Sequence, residues 1–106
     1  VRSRGLGDVY KRQLSFSCDG LAAVLLARNE SPDLAAQLVG ASHGLRDRAG
    51  IVPWPGLRPV MAAIADGVRA VAGDEVFEPN RALGRHLDTD AILALTRALV
   101  PAEATA

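Results

Sequence analysis

The side chains of this 106-residue chain that could do chemistry are few and widely spaced. A structural zinc site needs about four nitrogen or sulfur ligands at short spacings, but the chain has one cysteine, Cys18, and two distant histidines, His43 and His86. Ser42 precedes His43 directly, and adjacent residues of a helix point apart, so the two do not form a nucleophile–base pair. We therefore expect no catalytic, cofactor-binding or metal-binding residue. Cys18 is interpreted as a small core residue and the histidines as surface or helix-packing residues.

Three residues are candidates for contact with a partner: Trp54, Arg46 and Arg48. Trp54 stands between two prolines, and a rigidly held aromatic side chain is a typical anchor at a protein interface. The interpretation that we favour is that Trp54 packs as a lid over the junction of two helices. Arg46 and Arg48 would either hold an anionic ligand or pair with nearby acids, and we favour the pairing. The acids themselves, Asp19 among them, are expected at helix caps and on solvated faces.

Helical patterns place these residues along the chain from residue 14 onward. Ser31 and Pro32 are typical of an N-cap and a first helical residue, and Gly50 is typical of a helix end. No segment alternates apolar and polar residues, as a half-buried strand would. The sequence therefore predicts an all-α fold of about five helices, over 15–28, 32–49, 57–72, 75–86 and 89–100.

Each of the main helices has an apolar stripe at helical spacing. The stripe of the helix over 32–49 consists of Leu34, Leu38, Ala41 and Leu45. The stripe of the helix over 57–72 consists of Leu57, Val60, Ile64, Val68 and Val71. The last helix begins after a cap at Asp88, with Ile92, Leu95 and Leu99 as its stripe. The helix over 32–49 also contains small residues that would let its neighbours approach closely, namely Ala35, Ala36, Gly40, Ala41 and Gly44.

The first 13 residues differ in composition from all that follows. They contain the only lysine and the only tyrosine of the chain, Lys11 and Tyr10. Residues 3–13, SRGLGDVYKRQ, resemble the in-frame translation of a transposase-based sequencing-library adapter at every position. We therefore interpret 1–13 as adapter-derived and expect it to be disordered or arbitrarily folded. The helical domain is expected over 14–100, with a tail over 101–106.

Charge and cysteine content narrow the class of protein. The segment 1–13 has four basic residues and one acidic residue, so it carries +3 and leaves −3 on the rest of a chain that is neutral in total. A mildly acidic domain gives no electrostatic reason to expect binding to nucleic acid. One cysteine excludes an internal disulfide and is typical of the cytoplasm. No apolar run reaches the roughly 18 residues of a membrane span, so no membrane contact is expected.

The order of the helical segments resembles the C-terminal end of the TPR-like helical region in large bacterial regulators with predicted ATPase domains, LuxR-type transcriptional regulators included. The resemblance covers about 14–100. It rests on GLAAVLLARNESPDLAAQLVGASHGLRDRAG at 20–50 and FEPNRALGRHLDTDAILAL at 77–95, with VPWPGLRPVMAAIADGVRAVAGDEVF between them. Pro79 and the turn at 29–31 depart from the family pattern.

The resemblance implies TPR-like antiparallel hairpins at the end of an α-solenoid, within a larger ATP-dependent signalling or transcription regulator. It implies a non-enzymatic role in contact with a protein or small-molecule effector, and packing against upstream helical repeats of the same chain. ATP would be bound only upstream, because the chain has no phosphate-binding glycine motif outside the adapter-like segment.

Two alternatives belong to other classes. The first is a stand-alone helical-bundle enzyme or ligand-binding domain with a site between helices. The almost wholly aliphatic stripes argue against an enzyme. The second is DNA binding by the helices over 75–100, which the acidic charge disfavours.

Overall fold

The computed structural model describes residues 2–99, with side chains from residue 9 onward. Within this range the chain forms five α-helices and one short 3₁₀ turn, Pro55–Leu57, and it contains no strand. The all-α class is confirmed, whereas the TPR-like arrangement stays a prediction. Residue 100 and the predicted tail, 101–106, lie outside the described residues. The helices are α1 (Arg2–Arg28), α2 (Pro32–Ala49), α3 (Arg58–Ala72), α4 (Asp74–Arg85) and α5 (Thr89–Leu99).

Helix α1 begins well before its expected start at residue 15. The segment 2–13, for which we expected disorder or an arbitrary conformation, continues the same helix. Leu14 and Ser15 are buried, and the Ser15 hydroxyl donates to the carbonyl oxygen of Arg12 at 2.7 Å. A helix anchored by buried residues extends more easily than a new one nucleates, and 13–15 contain no residue that would stop it. This conformation does not test the proposed adapter origin.

Both predicted ends of α2 are confirmed. Pro32 is its first residue, and Gly50 ends it with a φ of 67° and an N–H that donates to the carbonyl of Arg46. The predicted capping by Ser31 is wrong, because its side chain makes no cap hydrogen bond. Ser31 has a left-handed φ of 43°, which the tight α1–α2 turn imposes, and it does not have the extended backbone of an N-cap.

Helix α2 is the centre of the molecule, with α1 on one side and α4 on the other. Three members of its predicted stripe, Leu38, Ala41 and Leu45, are buried. The predicted close approach is confirmed at two glycines. A Cβ atom at Gly40 would overlap the carbonyl oxygen of Arg81, and one at Gly44 would overlap that of Arg85. The backbones of α2 and α4 therefore touch, which larger side chains would prevent.

Helices α3 and α4 each depart from the simple pattern of their sequences. Val68 at the middle of α3 is buried, but Val60 and Val71 of the same predicted stripe are 54% and 48% exposed. Helix α3 thus buries only part of its predicted stripe against the neighbouring helices, although Ile64 and the last residue, Ala72, also pack against the core. Helix α4 continues through Pro79, whose missing N–H leaves the carbonyl of Glu75 without its helical donor.

Helix α5 follows a cap that the sequence predicts correctly. The Asp88 carboxylate accepts the backbone N–H of Ala91 at 2.8 Å. Ile92 is fully buried, and α5 rests on α1. The buried apolar residues of all five helices form one cluster around α2.

Candidate functional site

Arg46 is enclosed between α1 and α2. Its side chain is 6% exposed, and its Nη1 donates to the Asp19 carboxylate at 2.8 Å. Its Nη2 donates to the Ser42 hydroxyl at 3.1 Å, and that hydroxyl donates to the carbonyl of Val39 at 2.9 Å. The favoured pairing with an acid is therefore confirmed for Arg46. The burial leaves it no exposed donor for the partner contact that was its alternative.

Asp19 is the residue that sequence reasoning missed. We expected a cap or a solvated position, but Asp19 is 9% exposed and bonded to Arg46. A signal was present in the spacing, because Asp19 lies on the same helical face as Ser15 and Ala22, both fully buried. A carboxylate on a buried face needs a cationic partner on a neighbouring helix, and Arg46 occupies the matching face of α2.

Arg48 binds carbonyl groups and not an acid, so the favoured pairing is wrong for this residue. Its Nη1 and Nη2 donate to the carbonyl oxygens of Arg85 and Leu87, both at 2.8 Å. These carbonyls lie at the C-terminal end of α4, where backbone acceptors lack helical partners and a positive charge is stabilising. The guanidinium fork of Arg48 therefore holds the end of α4 against α2, which uses the donors that an anionic ligand would need.

Cys18 is a buried core residue, as predicted. The side chain is fully buried, and burial, with the neighbouring Asp19 charge, raises the pKa of the thiol to about 12. The thiolate is the reactive form of cysteine, so at neutral pH Cys18 has no nucleophilic character. Its role is to fill space next to the Asp19–Arg46 pair.

The two histidines lie in different surroundings. His43 is half-buried between α2 and α4, where its Nδ1 is 3.4 Å from Nη2 of Arg81. Burial, and then the charge of Arg81, lower the pKa of His43. His86 is exposed at the end of α4. Within the described part of the chain, no group of three or more His, Cys, Asp or Glu side chains is arranged to hold a metal ion.

Trp54 projects from the loop between α2 and α3. Its side chain is 70% exposed, and the neighbouring Val52 is 73% exposed. The expectation that Trp54 covers a helix junction is therefore wrong. Its φ of −56° and ψ of 134° are the extended geometry that Pro55 favours in the residue before it. The ring lies over Gly56, where a Cβ atom would overlap it.

An open groove runs between α1 and α5. Its volume is about 590 Å³, and apolar side chains supply most of its surface. Val24 on α1 is 44% exposed there. The few polar groups are uncharged, so the groove offers van der Waals contact and no ionic catalyst. Its lining consists of Tyr10, Gln13, Leu14, Ser17, Gly20, Leu21, Val24, Leu93 and Thr96.

Comparison with known proteins gives no relative from which a function could be inferred. No protein-family model matches the chain, and neither a curated protein nor a solved structure is significantly similar to it. Among residues 2–99, none of the helices combines the length and apolar character needed to cross a bilayer.

Proposed function

We propose that this chain is a non-enzymatic, TPR-like interaction module of a larger ATP-dependent signalling or transcription regulator in the cytoplasm. The observation that carries the proposal is the apolar side of α1 formed by Leu14, Leu21 and Val24, which lines the groove of about 590 Å³ between α1 and α5 and is open to a further helix. Tyr10 and Gln13, at one end of the groove, belong to the adapter-like segment and are not part of this surface. Helical hairpins of a solenoid bury such faces against the next repeat. The resemblance over 14–100 implies that this further helix belongs to the upstream helical repeats of the same protein.

Trp54 is the second contact in this proposal. An aromatic side chain that is 70% exposed on a proline-stiffened loop loses little conformational freedom on binding. Together with the exposed Val52, it forms an apolar protrusion suited to a protein effector. Arg46 and Arg48 are excluded from this role, because their donors bind Asp19, Ser42 and backbone carbonyls.

The experiment begins by recovering the upstream reading frame from the source genome. A fragment carrying the preceding helices is titrated into the chain and followed by isothermal titration calorimetry. We expect saturable binding that Val24→Asp weakens at least tenfold, about 1.4 kcal/mol. Val60→Asp introduces the same charge on the exposed side of α3, away from the groove, and is expected to leave binding unchanged.

The same calorimeter tests the binding of ATP and DNA, which the proposal assigns to other parts of the parent protein. ATP and duplex DNA are expected to give no heat of binding with the chain alone. Tight binding of either ligand would contradict the proposal. So would an upstream reading frame without helical repeats and without a P-loop ATPase domain.

A ligand-binding domain is the second candidate, favoured by the size of the same groove. Small-molecule sites typically have volumes of about 300–1,000 Å³ and mostly apolar linings. A fluorescent apolar probe such as 1-anilinonaphthalene-8-sulfonate distinguishes the two functions. Stoichiometric binding of the probe that survives addition of the upstream fragment favours a ligand site, whereas displacement by the fragment favours the helical partner.

A further inference from the structure

His43 lies in the seam between α2 and α4, where glycines bring the two backbones into contact. Its Nδ1 is 3.4 Å from Nη2 of Arg81. A guanidinium group has only donors, so the imidazole nitrogen facing it can only accept. The contact therefore requires a neutral His43 ring that carries its proton on Nε2. A second proton, on Nδ1, would place an N–H against the N–H groups of Arg81.

The charges around His43 are predominantly positive. Helix α4 contributes Arg81 and Arg85, α2 contributes Arg46, and all three lower the pKa of the imidazole. Asp19 on α1 acts in the opposite direction, but its carboxylate already binds Arg46 at 2.8 Å. The Asp47 carboxylate of α2 is likewise paired, with Arg85. Since Arg46 and Arg85 are each paired with one of these carboxylates, the charge that a protonated His43 would meet most directly is that of Arg81.

The surrounding backbone cannot easily yield to relieve that repulsion. Gly40 and Gly44, on either side of His43, are in backbone contact with Arg81 and Arg85. Gly84 of α4 makes the reciprocal contact with the carbonyl of Gln37. Helices packed this closely keep two discrete arrangements, together or apart, because a partial separation loses the contacts at every glycine.

We propose that the α2–α4 seam is an acid-sensitive latch in which His43 is the sensor: the seam is closed while the ring is neutral and opens when the ring binds a proton. This inference is independent of the proposed function. The sign follows from the lowered pKa of His43 in the folded chain. The neutral ring is stabilising above the ordinary histidine pKa of about 6.5, and this contribution is lost as the pH falls below that value towards the folded pKa.

Urea unfolding of the full chain at pH 7.5, 6.0 and 5.0 measures how the free energy of unfolding changes as His43 becomes protonated. We expect the folding equilibrium constant to fall below pH 6.5 by up to about tenfold per pH unit, the limit for uptake of one proton. His43→Gln keeps a neutral side chain that can accept from Arg81, so its equilibrium constant is expected to change much less. His86→Gln removes the exposed histidine and is expected to respond as the unmodified chain does. Equal pH responses of the unmodified chain and His43→Gln would overturn the proposal.

Histidine ¹³C NMR of the unmodified chain tests the same proposal even if His43→Gln does not fold. We expect His43 to titrate below pH 6.5, and amide shifts in 74–85 to move with the same midpoint. Arg81→Gln removes the nearest cation and is expected to raise that midpoint, whereas Arg97→Gln on α5 is expected to leave it in place. Titration of His43 at or above pH 6.5, or amide shifts in α4 that do not follow it, would overturn the proposal.

Discussion

The two sides of helix α2 are held by opposite kinds of chemistry. Towards α1 the contact includes a buried ion pair, in which Arg46 and Asp19 are 2.8 Å apart. Towards α4 the buried contact is made by glycines that bring the two backbones together, and the ion pair between Asp47 and Arg85 lies at the exposed edge of that contact. An ion pair fixes one geometry through direction and charge, whereas a glycine seam fixes it through shape. Both devices penalise a helix that shifts along its axis, so the centre of the molecule has one well-defined arrangement while the α2–α4 seam is closed.

The outer helices contrast with both of these seams. Helix α3 reaches the core through the buried Val68, with Ile64 and Ala72 partly buried beside it, and its remaining valines are half-exposed. Non-directional apolar contact of this kind tolerates small displacements. The comparison therefore separates a rigid centre, α1–α2–α4, from an adaptable periphery. Exposed apolar side chains occur in both parts, with Val60 and Val71 on α3 and Val24 on the outer side of α1.

Removing one member of the buried ion pair is expected to have the largest effect. Asp19→Ala leaves the Arg46 guanidinium buried without its counter-charge, which typically costs about 3–5 kcal/mol. The double variant Asp19→Leu/Arg46→Met removes both charges at similar volume and is expected to recover most of that loss. Urea unfolding followed by circular dichroism measures both free energies. A loss of less than about 1 kcal/mol in the single variant, the range of solvent-exposed pairs, would show that water already screens the pair.

The same glycine substitution is expected to have opposite signs in two helices. Gly40→Ala forces a Cβ atom into the backbone of α4 at Arg81 and is expected to cost about 3 kcal/mol. Gly20→Ala in α1 meets no atom within 4 Å. It is expected to stabilise the chain by about 0.5–1 kcal/mol, because alanine loses less entropy in a helix. Equal effects at the two positions would mean that α2 and α4 are not in backbone contact.

Valine-to-alanine substitution on α3 tests how much of this outer helix is packed against the core. Val68 is 1% exposed, and its truncation is expected to cost about 2 kcal/mol from lost burial and the cavity that remains. Val60 is 54% exposed, and the same truncation there is expected to stay within about 0.5 kcal/mol. Thermal unfolding of both variants gives the difference. A large loss at Val60 would place that residue in the core and remove it from the available surface.

Sequence predicted what local signals determine and missed what distant contacts determine. Pro32 and Gly50 define α2 without reference to any other helix, and both bounds are confirmed. The close approach at Gly40 and Gly44 also followed, because small residues at helical spacing allow little else. Sequence did not reveal which neighbour would use these glycines, since that depends on how the α3 hairpin folds back.

The misses at the candidate site have the same origin. Asp19 and Arg46 are 27 positions apart, so their pairing depends on the α1–α2 turn and its left-handed residues. Trp54 is exposed because two prolines direct the loop outward, while its hydrophobicity alone favoured a buried lid. The restricted backbone of this loop keeps the indole exposed despite the favourable free energy of burying it, because no part of the described chain passes near enough to cover the ring.

Arg48 connects the rigid centre to the periphery, and its loss is expected to have the smallest of these effects. Its two donors reach the carbonyls of Arg85 and Leu87, so one side chain of α2 holds the turn that leads into α5. Arg48→Ala is expected to cost about 1 kcal/mol, as for other exposed helix-end contacts. Arg97→Ala, an exposed arginine on α5, serves as the control for loss of charge and is expected to be nearly neutral.

Arg48→Lys separates the geometry of the fork from its charge. Lysine keeps the positive charge near the end of α4, but its single ammonium group lacks the planar pair of donors that reaches two carbonyls at 2.8 Å each. If the fork is what matters, Arg48→Lys resembles Arg48→Ala in urea unfolding, and amide exchange near Leu87 accelerates in both. If charge alone matters, Arg48→Lys retains the full stability of the unmodified chain, and α5 is tied to the centre by its contacts with α1 and not through α2.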